Sequence, residues 1–155
     1  MGTLRIYTDS ASDMTPEELR EHQVGLIPMR LVCGSDSFVD DHSVPMSRLW
    51  ERMETGEVLT TSQPSLQNFL DIFESARDKK DSVVYVSISS ALSGTYQTAM
   101  AAKTMTSYSD IHIVDARKAA GAAAEKLVVL RACQLRDEGK DAEAIAKELT
   151  EYRTR

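Results

Sequence analysis

The sequence predicts an α/β domain in which a parallel sheet lies between two layers of helices. Three segments rich in β-branched residues, at 4–8, 83–88 and 111–114, are each followed by a polar loop and then by a helical pattern. Nearly continuous apolar runs are typical of strands buried on both faces of a parallel sheet. The alternation of strands with helices favours a three-layer αβα architecture in a single domain, residues 1–155.

The composition argues against several classes of partner. Eighteen basic residues stand against 24 acidic ones, for a formal net charge of −6, and no lysine or arginine stripe is present. We therefore expect neither nucleic acid nor an anionic membrane as a partner, and no apolar run is long enough to span a bilayer. Cys33 and Cys133 are isolated in the sequence, which predicts a reducing cytoplasm.

The first part of the chain is predicted to contain a strand, a capped helix and an edge strand. A polar loop at 9–13 follows the first strand, and Thr-Pro-Glu-Glu at 15–18 is a capping-box pattern that begins a short helix. Pro28 has no N–H and restricts the next extended segment to a sheet edge or to the start of a strand. Residues 34–37 then predict a hairpin-like turn.

An amphipathic helix is predicted after residue 45, with its methionine and tryptophan side chains in the core. Its apolar stripe has the spacing i, i+3, i+4, i+7 at Met46, Leu49, Trp50 and Met53. The preceding Asp-Asp-His at 40–42 is interpreted as a solvated loop and not as a metal site, because adjacent residues point apart.

Hydroxyl side chains gather before two further helices. Thr61 and Ser62 lie just upstream of Pro64, which is predicted in the first turn of a helix. Four serines between 87 and 93 follow the strand at 83–88, and a helix is predicted to begin near Ser93. A helix N-terminus presents unpaired N–H groups and a positive dipole end, and Gly94 lets an anion approach the backbone. These loops predict a receptor for a carboxylate or a phosphate, unless Ser90 or Ser93 simply caps the helix.

The remaining elements complete the alternating pattern. His112 lies inside the strand at 111–114 and is interpreted as a sheet residue and not a catalyst. A loop at 116–121 leads to a helix, and Asp141 is predicted to cap the last helix. The helix after the loop is assigned the apolar positions Ala124, Leu127, Val128 and Leu135.

The loops do not carry the motifs of known catalytic sites. Ser93 stands in Ala-Leu-Ser-Gly, so the Gly-x-Ser-x-Gly motif of serine hydrolases is not present. Neither Gly-x-Gly-x-x-Gly nor a P-loop with lysine occurs. We therefore predict a binding protein with no catalytic residue, no cofactor and no metal.

Four segments carry a resemblance to a known family. They are TDSASD at 8–13, TSQPS at 61–65, ISSALSGTYQ at 88–97 and VD at 114–115. In order and spacing they resemble the DegV family of bacterial fatty-acid-binding proteins. The resemblance implies a protein that binds a long-chain fatty acid and presents its carboxylate to a separate fatty-acid kinase, which is the catalyst.

The resemblance also implies roles for individual residues. Thr61 and Ser93 would hydrogen-bond the fatty-acid carboxylate, with Ser62 and the Gly94 N–H close by. The family's second domain, which covers the acyl chain and meets the kinase, is expected to be absent from residues 1–155. Apolar surface left uncovered in this way predicts a homo-oligomer.

One loop departs from the family pattern. Where the family has hydroxyl residues and a glycine pair, this chain has Ala116, Ala120, Ala122 and Ala124 and keeps only Gly121. An alternative function is therefore a protein-interaction or scaffold domain that has kept the fold and lost the ligand. A small esterase is the third possibility.

Overall fold

The computed structural model describes residues 2–116 and 122–152, the side chains of 122 and 123 excepted. Most of the loop predicted at 116–121, including Ala120 and Gly121, therefore lies outside the described residues. In chain order the elements are β1 (Leu4–Asp9), α1 (Pro16–Glu21), β2 (Val24–Ile27), β3 (Arg30–Cys33), β4 (Asp36–Val39), α2 (Met46–Glu54), β5 (Leu59–Ser62), α3 (Leu66–Lys79), β6 (Ser82–Ser87), α4 (Thr95–Thr106), β7 (Ile111–Asp115), α5 (Ala122–Asp137) and α6 (Ala142–Tyr152).

A four-stranded parallel sheet forms the centre of the molecule, in the order β2-β1-β6-β7. The prediction that the three segments at 4–8, 83–88 and 111–114 pair in parallel is confirmed. Strand β2 is an edge strand and ends at Ile27, directly before Pro28, as the missing N–H of proline predicts. The capping box of α1 is also confirmed, with Thr15 as the N-cap and Glu18 as its partner.

Helices cover both faces of this sheet, so the three-layer αβα prediction is confirmed. In β6, Val83 and Tyr85 pack in one core cluster with Phe69 and Phe73 of α3. Val84 and Val86 belong to the opposite cluster, with residues of α5 and α6. All four β6 side chains are 0% exposed. Strand β6 is apolar throughout because it is buried from both sides.

A small antiparallel sheet, β4-β3-β5, lies between β2 and α3 in the sequence. The hairpin of β3 and β4 was predicted, and Gly34 in its turn has φ +62°, a conformation that glycine adopts without strain. Strand β5 was not predicted. Thr61 and Ser62 are its last two residues and not part of a loop, and Thr61 pairs with Leu31 of β3. A strand of four mostly exposed residues has too little apolar alternation to be read from the sequence.

Arg52 ties α2 to the small sheet. Its guanidinium donates to both carboxylate oxygens of Glu57 (2.5 and 3.0 Å), to Asp36 Oδ2 (2.8 Å) and to the Cys33 carbonyl (3.2 Å). The guanidinium carbon also lies 5.7 Å from the centroid of the Phe38 ring. These contacts fix the ends of β3 and β4 to the helix and to the segment that leads into β5.

The prediction that the methionine and tryptophan side chains of α2 lie in the core is wrong. Leu49 is 1% exposed, but Met46 is 57% exposed and Trp50 is 56% exposed. Arg52 joins this helix to the small sheet, and Leu49 is the one buried residue of the helix. Amphipathic spacing identifies which side chains share a face, whereas the area available to cover that face is a tertiary property.

Replacing a buried aromatic residue should destabilise the fold much more than replacing an exposed one. We expect Phe73→Ala to lower the free energy of unfolding by about 3–5 kcal/mol, because a large ring is removed from a closed core. Trp50→Ala should change it by about 0.5 kcal/mol or less. Urea unfolding of both variants measures the difference, and equal losses would contradict the exposed position of Trp50.

Candidate functional site

The strand order places a crevice between the C-terminal ends of β1 and β6. The chain passes from β1 to β2 on one side, whereas β6 and β7 lie on the other side of β1. Neighbouring parallel strands whose connections leave in opposite directions open a crevice at their carboxyl ends, where α/β proteins bind ligands. The loop from Ser87 to Gly94 begins at this point, as the sequence predicted.

A buried carboxylate joins the two strands at the crevice. Asp9, at the end of β1, is 0% exposed. Its Oδ2 accepts hydrogen bonds from the Tyr85 hydroxyl (2.6 Å) and the Ile88 N–H (2.8 Å), and its Oδ1 accepts one from the Ala11 N–H (3.0 Å). Since Ile88 is the first residue after β6, Asp9 fixes where the loop to α4 begins.

A second buried carboxyl group lies against the first. Glu125 of α5 is 3% exposed and accepts a hydrogen bond from Thr8 Oγ1 (2.9 Å). Burial raises the pKa of Glu125 to about 10, and the charge of Asp9 and the hydrogen bond between the two groups act in the same direction. At neutral pH Glu125 is therefore protonated and adds no charge beside Asp9.

The middle of the loop is attached to β7. The Ser90 N–H and Oγ donate to the two carboxylate oxygens of Asp115, at 2.9 and 2.5 Å. The Ser90 hydroxyl is therefore hydrogen-bonded to Asp115, and Ser90 is not the cap of α4. With Asp9 at one end and Asp115 in the middle, the loop is held by two carboxylates before it reaches Ser93.

The loop ends at the N-terminus of α4. Gly94 is the N-cap residue and has no side chain with which to cap the helix. Ser93 Oγ accepts a hydrogen bond from the Thr95 N–H (3.2 Å) and lies 2.8 Å from Thr95 Oγ1. Ser93 thus stabilises the first turn, as the capping alternative proposed, but from one position before the cap. The positive end of the α4 dipole faces this loop.

The other predicted hydroxyls lie on β5. Thr61 and Ser62 are exposed, and within residues 2–116 and 122–152 their hydroxyls make no hydrogen bond. The cap of α3 is Ser65, whose Oγ accepts from the Asn68 N–H (3.2 Å). Pro64 precedes this cap, so its predicted place in the first turn is wrong. Capping of α3 therefore does not use Thr61 or Ser62.

Gln63 brings the two hydroxyl segments together. It follows β5 directly, and its Nε2 donates to Thr98 Oγ1 in the first turns of α4 (2.9 Å). Thr61 and Ser62 on one side and Ser93 and Gly94 on the other therefore border one surface. Gln63 was not among the predicted site residues, because its amide is neither a hydroxyl nor a backbone N–H group.

The chemical groups at this surface are of kinds that can bind an anion. The surface combines hydroxyl donors, an edge strand and the N-terminus of a 12-residue helix. In the part of the chain that the structure describes, no cluster of three or more His, Cys, Asp or Glu side chains could hold a metal ion. Neutral donors and a helix dipole can bind a carboxylate or phosphate through hydrogen bonds.

Glu125 was not among the predicted site residues. Of the apolar positions predicted for α5, Val128 and Leu135 are buried, but Leu127 is 56% exposed. Glu125 is buried on the same helix and shares the spacing i, i+3, i+4, i+7 with Val128, Val129 and Ala132. A charged residue on that stripe was the available signal for a buried carboxyl group.

Comparisons with known proteins point to one family. A family model described as an uncharacterised protein of the DegV family matches residues 3–155. A DegV domain-containing protein of Clostridium perfringens is 31% identical over 154 residues, which are 99% of this chain and 54% of that protein. The chain thus spans about half the length of that relative.

Two solved structures show the same fold. A DegV family protein from Thermus thermophilus, described by its fatty acid binding, superposes with a TM-score of 0.84 at 27% identity, over 98% of this chain and 54% of that one. The fatty acid kinase (Fak) B3 protein of Streptococcus pneumoniae, loaded with linoleic acid, gives 0.80 at 25% identity, over 98% and 54%.

The buried carboxyl pair predicts a specific pH dependence of stability. Because the pKa of Glu125 is higher in the folded chain, about 10 against 4.5, folding takes up a proton. This contribution is complete below the unfolded pKa and is lost as the pH rises toward the folded one, with a slope of at most about 1.4 kcal/mol per pH unit. Glu125→Gln supplies an amide N–H donor in place of the carboxyl O–H but cannot ionise, so the stability of the variant should fall less between about pH 6 and pH 8.5.

Urea unfolding across that range measures the effect. Glu143→Gln, which changes an exposed glutamate on α6, is the matched control and should keep the wild-type slope. Parallel profiles for the wild type and Glu125→Gln would show that Glu125 is ionised in the folded chain.

Proposed function

This chain belongs to the DegV family, and on that premise we propose that it binds the carboxylate of a long-chain fatty acid. The observation that carries the proposal is the convergence of β5 and the N-terminus of α4 on one surface through Gln63. The Thermus thermophilus and Streptococcus pneumoniae proteins, which share the fold, are described with fatty acids. The fatty acids of those two proteins and the anion-binding groups of the surface support the same class of ligand.

Four residues are proposed to hold the carboxylate. The hydroxyls of Thr61 and Ser93 donate to its two oxygens, and the backbone around Ser62 and Gly94 lies beside it. Thr61 has a hydroxyl without another partner among the described residues. Ser93 can turn its O–H toward the ligand while its oxygen still accepts from the Thr95 N–H. The dipole of α4 favours the negative charge.

The proposal extends to the role of the bound fatty acid. The protein presents the carboxylate to a separate fatty-acid kinase, and the kinase, not this chain, is the catalyst. The Streptococcus pneumoniae relative, named as a protein of fatty acid kinase, supports such a partner. A cytoplasmic location is part of the same proposal, and the two free, buried cysteines agree with it. No described helix has both the length and the apolar character needed to cross a membrane.

Calorimetry of oleate binding tests the carboxylate site. Each hydrogen bond to a charged carboxylate contributes roughly 1.5–3 kcal/mol, so Thr61→Ala and Ser93→Ala should each weaken binding by about one to two powers of ten. Ser75→Ala, at an exposed position of α3, is the control and should bind like the wild type.

Thermal melts of the same variants distinguish a loss of ligand affinity from a loss of stability caused by the missing helix cap. Ser93 accepts from the Thr95 N–H, so its loss should cost about 1 kcal/mol of stability whatever the ligand does. If affinity is the same in all three variants, the carboxylate assignment is wrong. If the wild type binds no oleate, the alternative of a scaffold domain that has lost the ligand gains support.

We further propose that the chain forms a homo-oligomer. Large apolar side chains lie at the surface, with Trp50 56%, Leu92 67% and Val58 72% exposed. Where exposed apolar side chains form a contiguous patch, the patch usually marks an interaction site. Sedimentation equilibrium should give a mass of at least two chains at micromolar concentration, and a monomer at high concentration would contradict the proposal.

A further inference from the structure

We propose that Gln63 is a positioning residue that sets the separation between β5 and the start of α4, so that Thr61 and Ser93 can reach one carboxylate. The inference rests on the proposed function, because the distance it fixes is the one across the carboxylate site. Gln63 itself need not touch the ligand. Its part is to hold two segments that no secondary structure joins directly.

Two consecutive hydrogen bonds make the connection. Gln63 Nε2 donates to Thr98 Oγ1 (2.9 Å), and Thr98 Oγ1 donates to the Gly94 carbonyl (3.2 Å). The side chain that follows Ser62 is thus linked to the residue that follows Ser93. A displacement of β5 relative to α4 would have to break one of these bonds.

The second observation concerns the glycine at position 94. Gly94 has φ −77° and ψ 3°, which any amino acid can adopt, so the backbone conformation does not require glycine. A Cβ at this position would lie 2.8 Å from Gln63 Oε1. The absence of a side chain is therefore what allows the Gln63 amide to lie against the first turn of α4.

Holding the two segments in advance should raise affinity. A ligand that meets segments already in place does not spend binding free energy on ordering them. Removing one neutral, exposed hydrogen bond of this kind should weaken binding about two- to tenfold. The loss should occur without a matching loss of stability, because Gln63 is exposed and outside the core.

A double-mutant cycle on the contact provides the test. Gln63→Ala removes the bond, and Gly94→Ala forces the amide away while keeping the backbone N–H. Oleate affinity is measured by calorimetry, and melting temperature is measured alongside. Gln67→Ala is the matched control, because it removes an exposed amide of α3 that donates to Asp71 (2.7 Å) and has no role at the site.

We expect the effects of the two substitutions on oleate affinity to be non-additive. Each single variant weakens oleate binding, the double variant binds no more weakly than Gly94→Ala alone, and Gln67→Ala binds like the wild type. Wild-type affinity in Gln63→Ala would overturn the positioning role and leave the proposed function standing. The same conclusion would follow if the affinity losses of the two single variants added up in the double variant. A wild type that binds no oleate would overturn the proposed function and this inference with it.

Discussion

The arrangement of the site depends on one buried carboxylate, Asp9. A carboxylate removed from water must have hydrogen bonds in place of its hydration, or its burial would be strongly unfavourable. Asp9 accepts from the Tyr85 hydroxyl and from the N–H groups of Ala11 and Ile88. Those donors belong to β6, to the turn after β1 and to the loop that leads to α4. The hydrogen bonds to this one carboxylate therefore hold the three segments together at the point where the strand connections diverge.

The proton on Glu125 is part of the same arrangement. If both buried carboxyl groups were ionised, two negative charges would lie close together beneath a loop proposed to receive an anion. Burial holds Glu125 neutral, so that it adds a hydrogen bond without adding charge. The attraction of the α4 dipole for a carboxylate is then not opposed by a charge on Glu125.

Recognition of a carboxylate and burial of an acyl chain are different physical problems. A carboxylate needs a few directed donors, which two short segments and a helix terminus can supply. An acyl chain needs area, at about 0.8 kcal/mol for each CH₂ removed from water. The chain spans about half the length of the Clostridium perfringens relative, and its elements include hydroxyl donors and a helix N-terminus of the kind that recognition requires. The hydroxyls and the helix N-terminus of the proposed site address the first of these two problems.

The sequence by itself determined the parallel sheet, the flanking helices and the two hydroxyl segments. These features depend on local pattern: β-branched runs, helical spacing, and hydroxyls beside helix starts. Only the tertiary structure decided that Thr61 lies on an antiparallel strand, that Glu125 faces the core and that Gln63 spans to α4. Such facts depend on which distant surfaces meet. Trp50 shows the limit clearly, because its spacing predicted a buried face and the folded chain leaves its side chain 56% exposed.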